Sequence, residues 1–183
     1  GQEAGQTYAR LSNRLTTWLS GSTAAGTLYD IDLRLRPNGD DGFPVHSTAA
    51  FDKYQHENAW TWEHQSLTRA RFVCGDPDIG RQFEDTRRRI LRRRRNPDTL
   101  RREILAMREK ITAAHPPLPT DIKYARGGIV DVEFIVQYLI LAHAADCPAL
   151  MDNTGNIALL ETAAEHDLID PALAGRARRA YRH

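Results

Sequence analysis

The sequence predicts an α+β chain that is mostly α, with a small α/β edge leading into a helical bundle. Three observations predict it. The stretch LYDIDLRLRP (28–37) alternates apolar and charged residues with the period of two that a strand imposes. From Thr48 onward, apolar residues instead recur three and four positions apart, the helical period. Turn-forming residues interrupt that pattern at only a few points, around Gly75, at Pro97 and through HPPLPTDIKYARGG (115–128).

In chain order, TYARLSNRLTTWLS places Leu11, Leu15, Trp18 and Leu19 on one helical face, and the helix should end near Gly21. GSTAAG is a turn-rich connector, and the strand Leu28–Pro37 follows. Pro37, Gly39 and Gly42 force turns before FPVHS, read as a second short strand. TAAFDKYQHENAWTWEHQSLTRARFVCG reads as two helices or one bent helix ending at Gly75. Asp76 and Pro77 suit the start of the next helix, whose apolar face is Ile79, Phe83 and Ile90. A further helix restarts after Pro97, with Leu100, Ile104, Met107 and Ile111 at helical spacing. The proline-rich 115–128 stretch cannot be helix and reads as a linker or ordered loop. Gly127 and Gly128 give way to a helix over 129–145. NTGNIALLETAAEHDLI carries one more, and the chain stops inside the helical AGRARRAYRH. It also opens on Gly1 without a methionine, so the expectation is a segment of a longer protein with its sites only partly present.

Composition narrows the function less than the motifs do. A net charge of +1 over 183 residues gives no global pull toward nucleic acid or an anionic membrane. Cys74 and Cys147 lie far apart without metal-ligand spacing, which reads as two free thiols in a reducing cytoplasm. The most apolar stretch, IVDVEFIVQYLILAHAA, contains Asp131 and Glu133 and is too short and too polar to span a bilayer.

Four features are candidates for chemistry. On the strand, Asp30, Asp32, Arg34 and Arg36 share one face. That face is either a solvated, ion-paired edge or a site in which a carboxylate holds a hard cation such as Mg²⁺ and arginines take phosphate oxygens. In AWTWEHQSLTRARFV, the tryptophans read as core and His64 as a helix-face residue. Glu63 orders Arg69 or Arg71 toward a ligand, or forms a structural pair. The arginine-rich run from Arg81 to Arg102 invites an RNA reading. Ile90, Leu91 and Leu100 punctuate it at helical spacing, however, and no aromatic residue accompanies it to stack bases, so a solvated helix face is favoured. Asp131 and Glu133 sit in the first turn of a strongly apolar helix, where carboxylates complement the dipole. With Gln137 and Lys123 they could form a polar network, and Gly127–Gly128 could offer backbone N–H groups to an anion.

Taken in order and spacing, GTLYDIDLRLRPNGDDG, FDKYQHENAWTWEHQSLTRARFVCGDP, the MREK of Met107–Lys110 and DIKYARGGIVDVEFIVQYLIL resemble the bifunctional glutamine synthetase adenylyltransferase/adenylyl-removing enzyme family. The wording AWTWEHQSLTRAR resembles its C-terminal, adenylylating half. The resemblance implies a partial nucleotidyltransferase domain of the DNA polymerase β type over 1–47. A helical bundle, incomplete at its C-terminus, would follow over 48–183. It implies ATP as substrate with Mg²⁺, glutamine synthetase as target, a PII-type signalling protein as a possible regulator, and no role for membrane or nucleic acid. Asp32 maps onto the family's third metal carboxylate and Asp30 does not. Arg34 and Arg36 would contact the triphosphate or pair along the strand face. Glu63, Arg69, Arg71, Lys123, Asp131 and Glu133 would support the site. The family's GSDLDL-like carboxylate pair does not occur in these residues, so the segment alone is expected to be inactive. Two rivals stay open: the deadenylylating half of the same family, and a non-catalytic arginine-rich module that docks protein or RNA.

Overall fold

The computed structural model describes residues 2–27, 29, 31, 45–118 and 120–182. It is mostly helical, with eight α-helices and one two-stranded hairpin among the described residues. The chain divides into two compact units, Gly1–Ala59 and Trp60–His183.

In the first unit, α1 runs over Gln2–Ser20, ending where the sequence places its end. Leu11, Leu15, Trp18 and Leu19 remain exposed. The turn-rich connector is itself a hairpin of β1 (Ser22–Thr23) and β2 (Gly26–Thr27), antiparallel with Ser22 opposite Thr27. The Thr23 hydroxyl closes it by donating to Gly26 O at 2.9 Å. The strand predicted over 28–37 lies outside the described residues except for Tyr29 and Ile31, neither of which is in a strand. Of the second predicted strand, Val45, His46 and Ser47 are irregular, and the rest also lies outside. Ser47 has another task. Its Oγ accepts from Ala50 N at 3.1 Å and caps α2 (Thr48–Glu57).

The second unit is a bundle built around α6 (Ile129–His143), which packs on α3 (Thr61–Leu67), α5 (Pro97–Ala114), α7 (Asn156–Glu165) and α8 (Pro171–Arg182). α6 stops at His143 rather than Ala145. It carries apolar residues almost all round, as a helix surrounded by partners must. Val136, Ile140 and Leu141 form the centre of the core with Ile90, Leu91, Leu100, Leu150 and Leu160. α4 (Pro77–Leu91) starts from Asp76, whose Oδ1 accepts from Asp78 N and Ile79 N, followed by Pro77 in the first turn. α5 repeats the device with Asn96 and Pro97. Within α5, Leu100 and Ile104 are buried and Met107 and Ile111 half-buried, the graded stripe that the spacing predicts. On α4 the predicted face is rotated. Ile79 is exposed, and the inward residues are Gly80, Thr86, Arg87, Ile90 and Leu91.

The predicted helix ending at Gly75 stops instead at Leu67. Its last carbonyls are taken from outside the helix. Arg87 Nε donates to Leu67 O at 2.7 Å, and Arg87 Nη2 donates to Thr68 O at 2.9 Å and to Met151 O at 3.1 Å. With those carbonyls satisfied, the chain can leave the helix without stranding buried polar groups. It then lies along α4. Phe72 N donates to Glu84 Oε1, and the Phe72 ring sits over Gly80, where a Cβ would lie 2.8 Å from the ring.

Candidate functional site

Asp30, Asp32, Arg34 and Arg36 lie outside the described residues. Among the described residues there is no group of three or more His, Cys, Asp or Glu placed to hold a metal ion. The predicted supporting residues are described, and they fall into two separate places on the second unit.

The first place is the α3–α6 contact. Glu63 is buried, and its Oε2 accepts from Trp60 N at 2.8 Å, fastening the start of α3. Trp60, read as core, stands 70% exposed, because it precedes the helix and only its backbone is engaged. His64, read as a face residue, is buried beside Arg95. Next along α3, Gln65 Nε2 donates to Gln137 Oε1 at 2.8 Å, a buried amide pair joining α3 to α6. Past the end of α3, Arg69 Nη1 lies 3.6 Å from Glu133 Oε2, both partly exposed. Asn153 Nδ2 holds Arg69 O at 3.0 Å. Arg71 is exposed and pairs with none of the described residues.

A cleft of about 440 Å³ opens at this contact. Arg69 and Glu133 stand among its lining residues, with Gln137, Asn153, Asn156 and Tyr181 as further polar groups. Val136, Ile140, Ile157 and Leu159 supply the apolar part of the wall. Asn156 Nδ2 donates to Tyr181 Oη at 2.9 Å, tying α7 to α8. The sequence marks Glu133 and Gln137 as near neighbours on one helix. It gives no sign of Asn153, Asn156 or Tyr181, whose arrival depends on how α7 and α8 fold back.

The second place is the loop over 120–128. Asp121 Oδ1 accepts from Lys123 N and Tyr124 N. Arg108 reaches across from α5, with Nε 2.5 Å from Asp131 Oδ1 and Nη2 2.9 Å from Tyr124 O, and it also bonds the Thr112 hydroxyl. Asp131 Oδ2 accepts from Gly127 N, so one carboxylate ties the loop, α5 and α6 together. Lys123 is exposed, with its ammonium 5.1 Å from the Tyr124 ring centroid, and that ring stacks on His115 at 4.5 Å. Asp131 and Glu133 therefore serve different contacts, Asp131 toward α5 and Glu133 toward Arg69. The anion reading of the glycine pair does not hold. Gly127 N, Gly128 N, Ile129 N and Val130 N already donate to Asp131 Oδ2, Ala125 O, Ile122 O and Lys123 O.

The arginine run is divided by the fold rather than displayed as one surface. Arg87 and Arg95 turn inward. Arg95 donates to Ile90 O, Leu91 O, Arg93 O and Leu141 O, closing the end of α4 against α6. Burial lowers its pKa to about 10, with Arg93 adding to the shift, so it stays charged at neutral pH. Arg81, Arg88 and Arg94 pair with Asp78, Asp152 and Asp146. Arg89, Arg92, Arg93, Arg101 and Arg102 stay exposed.

Comparison with known proteins gives the following. Residues 1–86 match the family model described as glutamate-ammonia ligase adenylyltransferase, and residues 98–183 match the GlnD PII-uridylyltransferase model. The chain is 63% identical over 180 residues to a bifunctional glutamine synthetase adenylyltransferase/adenylyl-removing enzyme of Neisseria meningitidis serogroup A, covering 98% of this chain and 20% of the relative. It is 60% identical to the protein of that name from Chromobacterium violaceum over the same shares, and 52% identical to that from Nitrosomonas eutropha. The chain spans about a fifth of the length of the curated relatives it matches.

Proposed function

We propose, since the chain belongs to the family of bifunctional glutamine synthetase adenylyltransferase/adenylyl-removing enzymes over 98% of its length, that it forms part of the adenylylating centre of such an enzyme. The observation that carries this reading is that identity across nearly the whole chain, together with the adenylyltransferase model over 1–86, which contains DIDLRLRP. In the reaction, the hydroxyl oxygen of a glutamine synthetase tyrosine bonds to the α-phosphorus of ATP. The bond from that phosphorus to the bridging oxygen of pyrophosphate breaks, and the tyrosine proton is lost. The synthetase leaves as its adenylylated, less active form. The wording AWTWEHQSLTRAR supports the adenylylating rather than the deadenylylating assignment.

Within the chain, residues 1–47 would complete a DNA polymerase β-like nucleotidyltransferase domain and 48–183 would form the helical domain. Asp32 is the carboxylate that would hold Mg²⁺, and Arg34 and Arg36 would take triphosphate oxygens. When bound, the metal would neutralise charge on the phosphates and favour the ionised tyrosine oxygen. The segment alone should be inactive, since Asp32 is the sole carboxylate that the family motif assigns to the metals here. The reaction belongs in the cytoplasm, and the model match over 98–183 supports a link to PII signalling.

The test uses the full-length protein with Asp32→Asn. AMP transfer from ATP to glutamine synthetase should fall by at least about a hundredfold, with the far-UV spectrum unchanged. Transfer within a few-fold of wild type in a folded variant would remove Asp32 from the site. If AMP transfer is unaffected while phosphate-dependent removal of AMP is lost, the segment belongs to the deadenylylating half.

A further inference from the structure

The cleft between α3, α6 and α7 collects hydrogen-bond donors that the protein leaves unused. α7 begins at Asn156 after Gly155, so no side chain caps its first turn. Helix first turns carry N–H groups without intrahelical acceptors and the positive end of the helix dipole. Gly155, Asn156 and Ile157 all line the cleft.

Independently, Gln137 is only 7% exposed and lines the same cleft. Its Oε1 accepts from Gln65, while its Nε2 makes no hydrogen bond among the described residues. The Gln137 Nε2 atom still meets solvent, so its N–H groups are open to an acceptor that enters the cleft. Arg69 is a third source of donors. Its 3.6 Å approach to Glu133 is longer than a hydrogen bond and leaves most of the guanidinium N–H groups available. Glu133 is the one carboxylate in the lining.

We propose that this cleft binds an oxyanion, phosphate or carboxylate, carried on a small organic body. The anion would take the α7 first turn, the Gln137 amide and Arg69, and the body would lie on Val136, Ile140 and Leu159. A volume of about 440 Å³ accommodates such a ligand. Glu133 opposes the anion and partly neutralises Arg69, which keeps the affinity modest and fixes the sign of its removal.

Inorganic phosphate, phenyl phosphate and benzoate are titrated into the chain while the Asn156 and Ile157 amides and the Gln137 side-chain NH₂ are followed by NMR. A saturable shift at all three positions is expected, with phenyl phosphate or benzoate binding more tightly than inorganic phosphate, and their order identifies the head group. Arg69→Gln should weaken binding by about tenfold, and Glu133→Gln should tighten it severalfold, a few tenths to one and a half kcal/mol in either direction being about what one such charge is worth. Both residues are partly exposed, so both variants should fold. No saturable shift by about 10 mM, where even weak binding registers, would overturn the proposal. So would affinities in both variants equal to wild type, and phenyl phosphate and benzoate binding no better than inorganic phosphate would remove the organic body.

Discussion

Replacing Arg87 by methionine should destabilise the helical unit by about 3–5 kcal/mol, one of the two largest effects expected from a single change in this chain. The side chain is 3% exposed and serves three main-chain carbonyls on two elements, Leu67 O and Thr68 O at the end of α3 and Met151 O in the 3-10 turn over Pro148–Met151. Burial pulls its pKa down, and nearby Glu84 at 3.4 Å only partly offsets that cost. The charge is balanced mainly by carbonyl dipoles at the end of a helix, the polarity that favours a cation. Methionine matches much of the volume but leaves all three carbonyls without donors. Urea unfolding followed by far-UV circular dichroism should show the loss as a lowered midpoint. Arg87→Lys should recover only part of it, because an ammonium cannot reproduce the planar fork that spans the acceptors. A methionine variant with the wild-type midpoint would show that these carbonyls are satisfied without Arg87.

Arg87 also shows where sequence reading stops. Helix starts were legible because they are written locally. Asp76–Pro77 and Asn96–Pro97 each supply a cap and a fixed φ within two residues, and both helices begin there. The apolar stripe of α5 was legible for the same reason. The end of α3 was not, since LTRARFV continues a helical pattern and the group that terminates it lies twenty residues away on α4. The arginines look alike in sequence, yet Arg87 is a buried clamp, Arg95 a half-buried one and others are surface pairs, a division that depends on what α6 and the loop after it bring alongside. Around the candidate site, Glu63, Arg69 and Glu133 were singled out by local chemistry. Their partners Trp60 N, Asn153 and each other required the tertiary fold. The cleft is the extreme case. Half its polar lining comes from segments that carry no motif, and its idle donors are visible only after every hydrogen bond has been assigned.

The glycine pair separates two costs that sequence cannot tell apart. At Gly128 the backbone has φ −78° and ψ −170°, which any residue adopts, but a Cβ would lie 2.5 Å from Ile122 O, 2.9 Å from Ala125 O and 3.1 Å from Lys123 O. All three are main-chain atoms, and none can swing away. Making room means moving the loop and giving up the bonds from Gly128 N, Ile129 N and Val130 N that start α6. Gly128→Ala should therefore cost about 3 kcal/mol, from overpacking plus lost hydrogen bonds. Gly127 is the reverse: it has φ +81° and open space around it, so Gly127→Ala should cost about 1 kcal/mol of backbone strain alone. Thermal unfolding of the two variants should rank them in that order. Hydrogen exchange at Ile129 and Val130 should accelerate in Gly128→Ala and remain near wild type in Gly127→Ala. Equal destabilisation, or faster exchange in the Gly127 variant, would mean that the loop yields easily and that Arg108 and Asp131, rather than the close approach at Gly128, hold it against α6.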